Sequence, residues 1–423
     1  MKNILLSITC FVFSALGLKA QQSVYQADLA ALKAVIEKTK SYKAQIKGAK
    51  KTAYQDLYNR LLADTITDVN SYQYFYNLAQ LLFPIRDNHI AFYQQADDRP
   101  FRSKASIDSF VQTSTFHHYP SYNINIDSLQ QALAAKQAHE VEGIYHYGKF
   151  YTIGLFRVKE KEYVGIILDS ELNFWKKGQV AVHLYEQDTY HYKAIYAHPY
   201  TKNFSLEPIE KYTNGSLINS SFNRSFFAGT YSKSLPGTDF VNVVRGDSKF
   251  NLKQTANDIQ YLLIQSFQAN SKTSKLSKNF YDSIKTALVA PYLILDLRNN
   301  EGGAEKESKK YYKLLQQYAK KGKIYVLVNN GTISEAEILL LKLKKLNNVV
   351  VLGQTTKGML AYGSNYGNTI KLPSQQFSVY ATDMNNGASL LPYEDYGIKP
   401  DHYLSPDIDW LQQTTQLIQT GKP

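Results

Sequence analysis

The chain has 423 residues, 44% of them hydrophobic and 20% charged, with a formal net charge of +12. That is enough apolar material for a real core and about two to four structural units, which excludes a mini-protein that depends on staples. The basic balance is accompanied by no zinc-finger spacing, arginine-rich recognition helix or ribonucleoprotein motif, so it reads as a solvated surface and excludes nucleic acid as the favoured partner.

Residues 1–20 hold one Lys near the start, an apolar stretch over 4–18 and the small residue Ala20 before Gln21. This pattern predicts a cleavable secretory signal, and hence an exported protein, periplasmic or extracellular. The apolar part is short for a bilayer, so no membrane span is expected in the mature chain. Loss of Lys2 and Lys19 takes the charge from +12 to +10. Cys10 is the only cysteine and leaves with the signal, so neither thiol nor disulfide is expected afterwards. Cleavage ahead of Cys10, as in a lipoprotein, is disfavoured by Thr9 and a very short apolar stretch before it.

Residues 21–121 read as a helical N-terminal region. Leu29, Leu32, Val35 and Ile36, then Leu57, Leu61 and Leu62, then Phe75, Leu78, Leu81 and Leu82 recur at helical spacing, and Pro84 ends the last run. Residues 85–93 predict a polar turn and a short strand with His89 at the junction, followed by a linker over 94–121. Residues 122–250 change character. Strand patterns at 145–158, 163–168, 180–185 and 190–196, with turns at 148–149 and 176–178, predict a central antiparallel sheet or small barrel. A typical peptide-binding PDZ domain is not expected there, because the glycine-rich carboxylate loop is missing. Tyrosine is abundant, at 34 residues, and its apolar face with a polar tip suits grooves and half-exposed sheets.

From residue 251 to 415 strands alternate with helices: strand 259–267, helix 277–288, strand 292–297, helix 305–319, strand 324–329, helix 334–346 and strand 349–352. Such alternation predicts a mostly parallel α/β sheet with crossover helices, extended by strand pairs around 369–380. Residues 416–423 read as a tail. Two of the strands end in polar turns that open helices, where backbone N–H groups are free and the helix dipole favours negative charge. Ser334 lies at one such turn. With Glu337 three residues on, it also reads as a capping box, and the local pattern alone favours capping over catalysis. Gly302 and Gly303 end the other turn, where their permissive backbone angles suffice as a reason for them. An isolated histidine such as His89 is more often structural than catalytic.

Five segments, taken together and in order, shift that balance. DLRNNEGG at 296–303 resembles the D-x-R-x-N-x-G-G strand end of the tail-specific (C-terminal processing) and tricorn-type serine proteases, a family that also includes interphotoreceptor retinoid-binding protein modules. TISEAE at 332–337 resembles its T-x-S-A-x-E nucleophile turn, and GQTTKG at 353–358 its G-x-x-T-x-G loop. EDYGIKPD at 394–401 and RDNHIAF at 86–92 resemble its E-x-x-G-V/I-x-P-D and D-x-H elements. The resemblance implies an α/β catalytic core of the crotonase/ClpP-like β-β-α superhelix type, carrying the N-terminal helical region and the central antiparallel β domain.

It also separates two mechanisms. The processing branch uses a Ser-Lys dyad, but Met359 stands where that lysine would be, and Lys357 is displaced by two positions. The tricorn-like branch uses Ser, His, a residue before the His, and Glu. The resemblance implies those roles for Ser334, His89, Asn88 and Glu394, with Asn88 replacing a serine, and an oxyanion hole of the Gly302, Gly303 and Glu335 amides. Glu394 would fix the histidine directly or through Asn88. His402 is a rival base that reads more simply as surface. The expectation is a serine endopeptidase acting on peptide or unfolded-protein substrates, with no cofactor and no metal, since no HExxH or ligand spacing occurs. A non-catalytic peptide- or ligand-binding protein on the same scaffold is the alternative. A different serine hydrolase is disfavoured by the lack of a G-x-S-x-G elbow around Ser334.

Overall fold

The computed structural model describes residues 23–421 apart from 221–229, 236, 244–247 and 366. The expected signal segment, residues 1–20, lies outside the described residues. The chain begins with helices Val24–Ile36, Lys40–Gln45, Ala49–Leu62 and Tyr72–Gln80. Ser23 opens the first with a capping box completed by Gln26. Leu29, Leu32 and Ile36 face inward at the spacing that predicted the helix. These helices share one continuous core with the β domain: the Phe75 ring packs 4.9 Å from Phe92 and 5.7 Å from Phe204. Between the two, part of the expected linker is itself helical, at Lys104–Phe110 and Ser114–His117, and Phe116 is buried.

The central β domain is a closed barrel. Strands Gly143–Tyr147, Tyr151–Lys159, Glu162–Ser170, Val180–Asp188, His191–Ala197 and Phe204–Thr213 pair antiparallel in sequence order. Two-residue strands Ser216–Leu217 and Tyr231–Ser232 then link the last strand back to the first. Tyrosine fills much of this region: the Tyr147 and Tyr231 rings lie 4.6 Å apart, and the Tyr151 and Tyr231 hydroxyls hydrogen-bond at 2.8 Å. Buried tyrosines that pair their hydroxyls keep both the apolar area and the polar tip satisfied.

The hairpin Asn368–Lys371 and Phe377–Ala381 corrects the expectation that it extends the α/β sheet. It pairs with Ala91–Gln94, which pairs in turn with Phe204–Thr213, so it joins the sheet of the barrel. Phe377 and Val379 bury against the aromatic cluster of the helices, a destination that alternation along a strand does not reveal.

The α/β core is a six-stranded sheet in the order Phe250–Ala256, Ile259–Ile264, Tyr292–Asp296, Lys323–Val328, Val349–Gly353 and His402–Tyr403. The first pair is antiparallel and the rest are parallel. Its central strands are apolar on both faces, as a covered parallel sheet requires. Leu293, Leu295, Val326 and Val328 pack against helices Glu305–Tyr318 and Glu335–Leu343, while Ile294, Tyr325 and Leu327 pack on the side of Trp410. Helix Trp410–Thr420 covers that second side with Leu417 and Ile418, so the residues after 415 that are described belong to the core and not to a tail.

Candidate active site

The site begins where two neighbouring strands of the core end. The turn after Tyr292–Asp296 and the turn after Lys323–Val328 are laced together: Asn299 N–H donates to Asn329 Oδ1 at 2.9 Å, Thr332 Oγ1 to the Leu297 carbonyl at 2.8 Å, and Ile333 N–H to the Asn300 carbonyl at 3.0 Å. A buried Asp296–Arg298 ion pair at 2.7 Å underlies the first turn. Most of the DLRNNEGG motif is therefore scaffold. The lacing forces Ser334 to φ 59° and ψ −124°, a region that non-glycine residues seldom occupy, at a cost of about 1–3 kcal/mol. Such strain survives only where the surroundings over-determine it.

Glu337 does much of that. Its carboxylate is fully buried and accepts from Ser334 N–H at 3.0 Å, Thr356 Oγ1 at 2.6 Å, Gly358 N–H at 2.8 Å and Met359 N–H at 2.9 Å. Ser334 commits its main chain to the cap, its N–H donating to Glu337 and its carbonyl accepting from Glu337 N–H at 2.9 Å. Its hydroxyl lies 3.2 Å from Nε2 of His89, across 245 residues of sequence. The capping reading and the nucleophile reading thus use different atoms of one residue.

His89 is placed by the turn before strand Ala91–Gln94. Arg86 reaches across to the C-terminal segment, donating to Asp395 at 2.6 Å, to the Leu391 carbonyl at 2.9 Å and to the Glu394 carbonyl. Glu394 accepts the Asn88 backbone N–H at 2.8 Å on one oxygen and the N–H groups of Leu360 and Ala361 at 2.9 and 2.8 Å on the other. This corrects the expected relay. Glu394 makes no hydrogen bond to the imidazole, and the Asn88 amide turns away to the Gly358 carbonyl and Asp395 Oδ1, at 2.6 and 2.9 Å. Glu394 holds the histidine through the main chain. Among the described residues, His89 Nδ1 and Asn88 Oδ1 are buried without a partner.

Burial lowers the His89 pKa to about 4, with the nearby Lys357 charge acting in the same direction, so the ring is neutral and able to accept a proton at neutral pH. Burial pushes Glu394 up to about 8, against three N–H donors that favour its ionised form. Asp87 is raised by burial to about 6. It accepts from Thr382 Oγ1 at 2.5 Å and from His89 N–H at 3.2 Å. Lys357 turns to Glu207 of the barrel, 3.3 Å away.

The oxyanion-hole residues divide. Gly302 N–H is taken by Asn300 Oδ1 at 2.9 Å, so Gly302 is not a free donor as expected. Its contribution is space: a Cβ there would sit 2.8 Å from Ser334 Cβ and 2.9 Å from the Glu335 nitrogen. Gly303, at φ 138°, packs on the Phe267 carbonyl, where a Cβ would be 2.0 Å away. Among the described residues, the Gly303 and Glu335 N–H groups have no acceptor. The Glu335 carboxylate points elsewhere, accepting from Ser308 at 2.5 Å. His402 stands on the edge strand of the sheet, opposite Leu352 and outside this hydrogen-bond network.

The sequence pattern assigns no role to Asp87, Arg86 or Asp395, and gives Glu337 only its place in the capping box. The first three lie inside matched segments, and that was the available signal. Among the described residues no group of three or more His, Cys, Asp or Glu side chains could hold a metal ion, and no helix is long and apolar enough to cross a membrane.

The profile of peptidase family S41 matches residues 304–404, which include Ser334, Glu337 and Glu394. No curated protein matches the chain. Solved structures similar to it include a lipoprotein from Streptococcus agalactiae, 21% identical over 41% of this chain and 70% of that one, at a TM-score of 0.29. The photosystem II D1 C-terminal processing protease is 13% identical over 94% and 97%, at 0.38. The tricorn protease is 12% identical over 94% of this chain and 35% of its own, at 0.31. Over residues 304–404 the chain is thus similar to peptidase family S41, and that match supports a serine-type peptidase.

Proposed function

We propose that the protein is an exported endopeptidase of the tricorn-like branch, built on a crotonase/ClpP-like superhelix, that cleaves peptides or unfolded proteins through an acyl-enzyme on Ser334. The observation that carries this is the 3.2 Å approach of His89 Nε2 to Ser334 Oγ, within the reach a base needs.

The chemistry follows from the geometry. His89, neutral at Nε2, takes the Ser334 proton as the oxygen attacks the peptide carbonyl. The carbonyl oxygen becomes an oxyanion, held by the N–H groups of Glu335 and Gly303 at the positive end of helix Glu335–Leu343. His89 then returns the proton to the leaving amine, and the C–N bond breaks to leave an ester on Ser334. Water, deprotonated by the same imidazole, hydrolyses that ester. Glu394, seated on the Asn88 main chain, favours the transient imidazolium in its ionised form. With Met359 in place of a dyad lysine and Lys357 turned to Glu207, the histidine is the base within reach.

The same contact favours an enzyme over a binding protein on this scaffold, since a ligand cleft has no need of a strained serine facing an imidazole. The test is hydrolysis of fluorescein-labelled casein by the wild type and by Ser334→Ala, each shown folded by circular dichroism. Cleavage that vanishes in the variant supports the proposal. Cleavage that persists removes it.

A further inference from the structure

The two halves of the site meet on one stretch of chain, residues 356–361. Its N–H groups are shared between two buried carboxylates: those of Gly358 and Met359 go to Glu337, which seats Ser334, and those of Leu360 and Ala361 go to Glu394, which seats the His89 turn. Its carbonyls on the other side need donors of their own. Asn88 supplies one, to Gly358. Asn386 supplies Leu360 and Ala361, at 3.0 and 2.9 Å, and the barrel supplies Thr356 and Lys357. Lys211, on strand Phe204–Thr213 and only 6% exposed, donates its ammonium to the carbonyls of Lys357 at 2.7 Å, Thr356 at 3.1 Å and Tyr396 at 3.4 Å.

We propose that Lys211 is a positioning residue of the reaction: its charged ammonium, delivered by the barrel, holds residues 356–358 in the shape that keeps Ser334 and His89 in register. This rests on the peptidase reading above. Three carbonyls around one buried cation make a charge-dependent clamp, because a neutral amine offers one donor fewer and no field for the carbonyl dipoles. The titratable groups facing it are Glu210 on its own strand, which burial raises to about 8, Glu337 from the helix that Ser334 opens, Lys357 in the loop and Asp395 from the C-terminal segment. Burial is the largest influence and lowers the Lys211 pKa to about 8. The sign is then fixed. Below about pH 8 the ammonium can serve all three carbonyls, and above it the neutral amine serves at most two, so the clamp loosens there even though burial by itself favours the neutral form. Glu394 titrates in the same range, but its ionisation favours the imidazolium and so acts in the opposite direction.

The experiment is the rate of phosphonylation of Ser334 by a fluorophosphonate between pH 5 and 10, in the wild type, Lys211→Met and Lys211→Arg, with Ser334→Ala as the blank. The wild-type rate is expected to fall above pH 8. Lys211→Met is expected to react on the order of ten- to a hundred-fold more slowly at pH 7, the effect of a small misplacement, and to lose the descending limb. Lys211→Arg is expected to recover part of the rate and to move that limb to higher pH. Wild-type rates and an unchanged limb in Lys211→Met would overturn the inference, as would an arginine variant with the same limb as the wild type. Should wild-type Ser334 take up no fluorophosphonate, the peptidase reading fails by itself. Lys211 is then judged by amide exchange in Lys211→Met, where exchange of Gly358 and Met359 must quicken relative to the strands of the core, and equal exchange sinks the clamp.

Discussion

The turn that carries Ser334 and the turn that carries His89 are built on the same device, a buried carboxylate under a strand-end loop, yet they differ in where that carboxylate comes from. Glu337 is three residues from Ser334 and sits on the helix the serine opens. Glu394 is 306 residues from Asn88, and the rest of the clamp on the His89 turn, Arg86 to Asp395, spans 309. The Ser334 turn is thus a local construction of the core, whereas the His89 turn is held mainly by contacts that close the whole chain. Damage to the first should fall on folding, and damage to the second on chemistry.

That contrast can be broken in several ways. The largest stability effect is expected for Glu337→Gln, which leaves part of a four-donor carboxylate network facing an amide. A loss of about 3–5 kcal/mol in urea denaturation would fit a broken buried ionic network. Glu394→Gln should cost less, about 2–3 kcal/mol, but should slow phosphonylation of Ser334 by about a hundredfold as the imidazole loses its seat. If Glu394→Gln were the more destabilising and reacted at the wild-type rate, the division between folding and chemistry would be wrong. Arg86→Ala comes next. It should cost about 1–3 kcal/mol, because Asp395 and two carbonyls lose a charged donor, with a smaller fall in rate.

The mildest tests are in pH. His89 has a folded pKa near 4, below the ordinary value of 6.5. Its proton is disfavoured in the folded state, so the phosphonylation rate should rise as pH passes through about 4 and be level by pH 6. Stability should decline as pH falls below about 6.5, where the unfolded chain takes up the proton first. Lys357→Met removes a positive neighbour and should move the rising limb to higher pH. A limb centred near 6.5 in the wild type would mean that the imidazole is solvated and not seated as described.

The same local and long-range contrast explains what the sequence made legible. The apolar runs at 292–296 and 324–328 announced strands covered on both faces, and the polar turn after each announced helix starts, because those signals lie within a dozen residues. The helices around Leu29 and Phe75 were legible for the same reason. His89 was not: nothing near it distinguishes it from a structural histidine, and only its resemblance to a family element, in order with four others, singled it out. The closing strands of the barrel are two residues long and leave no periodic pattern. The hairpin over 368–381 alternates correctly, but alternation does not name the sheet it will join, and buried contacts of Phe377 with the helices decided that. Lys211 gave no signal at all, since a lysine in a strand of mixed polarity usually faces solvent. The Gly302 and Gly303 pair was visible as a turn, yet which of the two amides is free depended on Asn300, whose side chain takes one of them.

The central claim is that the imidazole of His89 activates the hydroxyl of Ser334. It is tested most directly by the phosphonylation rate of Ser334 at pH 7 in the wild type and in a folded His89→Ala variant. Loss of a general base from such a pair costs on the order of 10⁴-fold or more, and a drop of that size is the predicted result. A His89→Ala protein that reacts at the wild-type rate would contradict it.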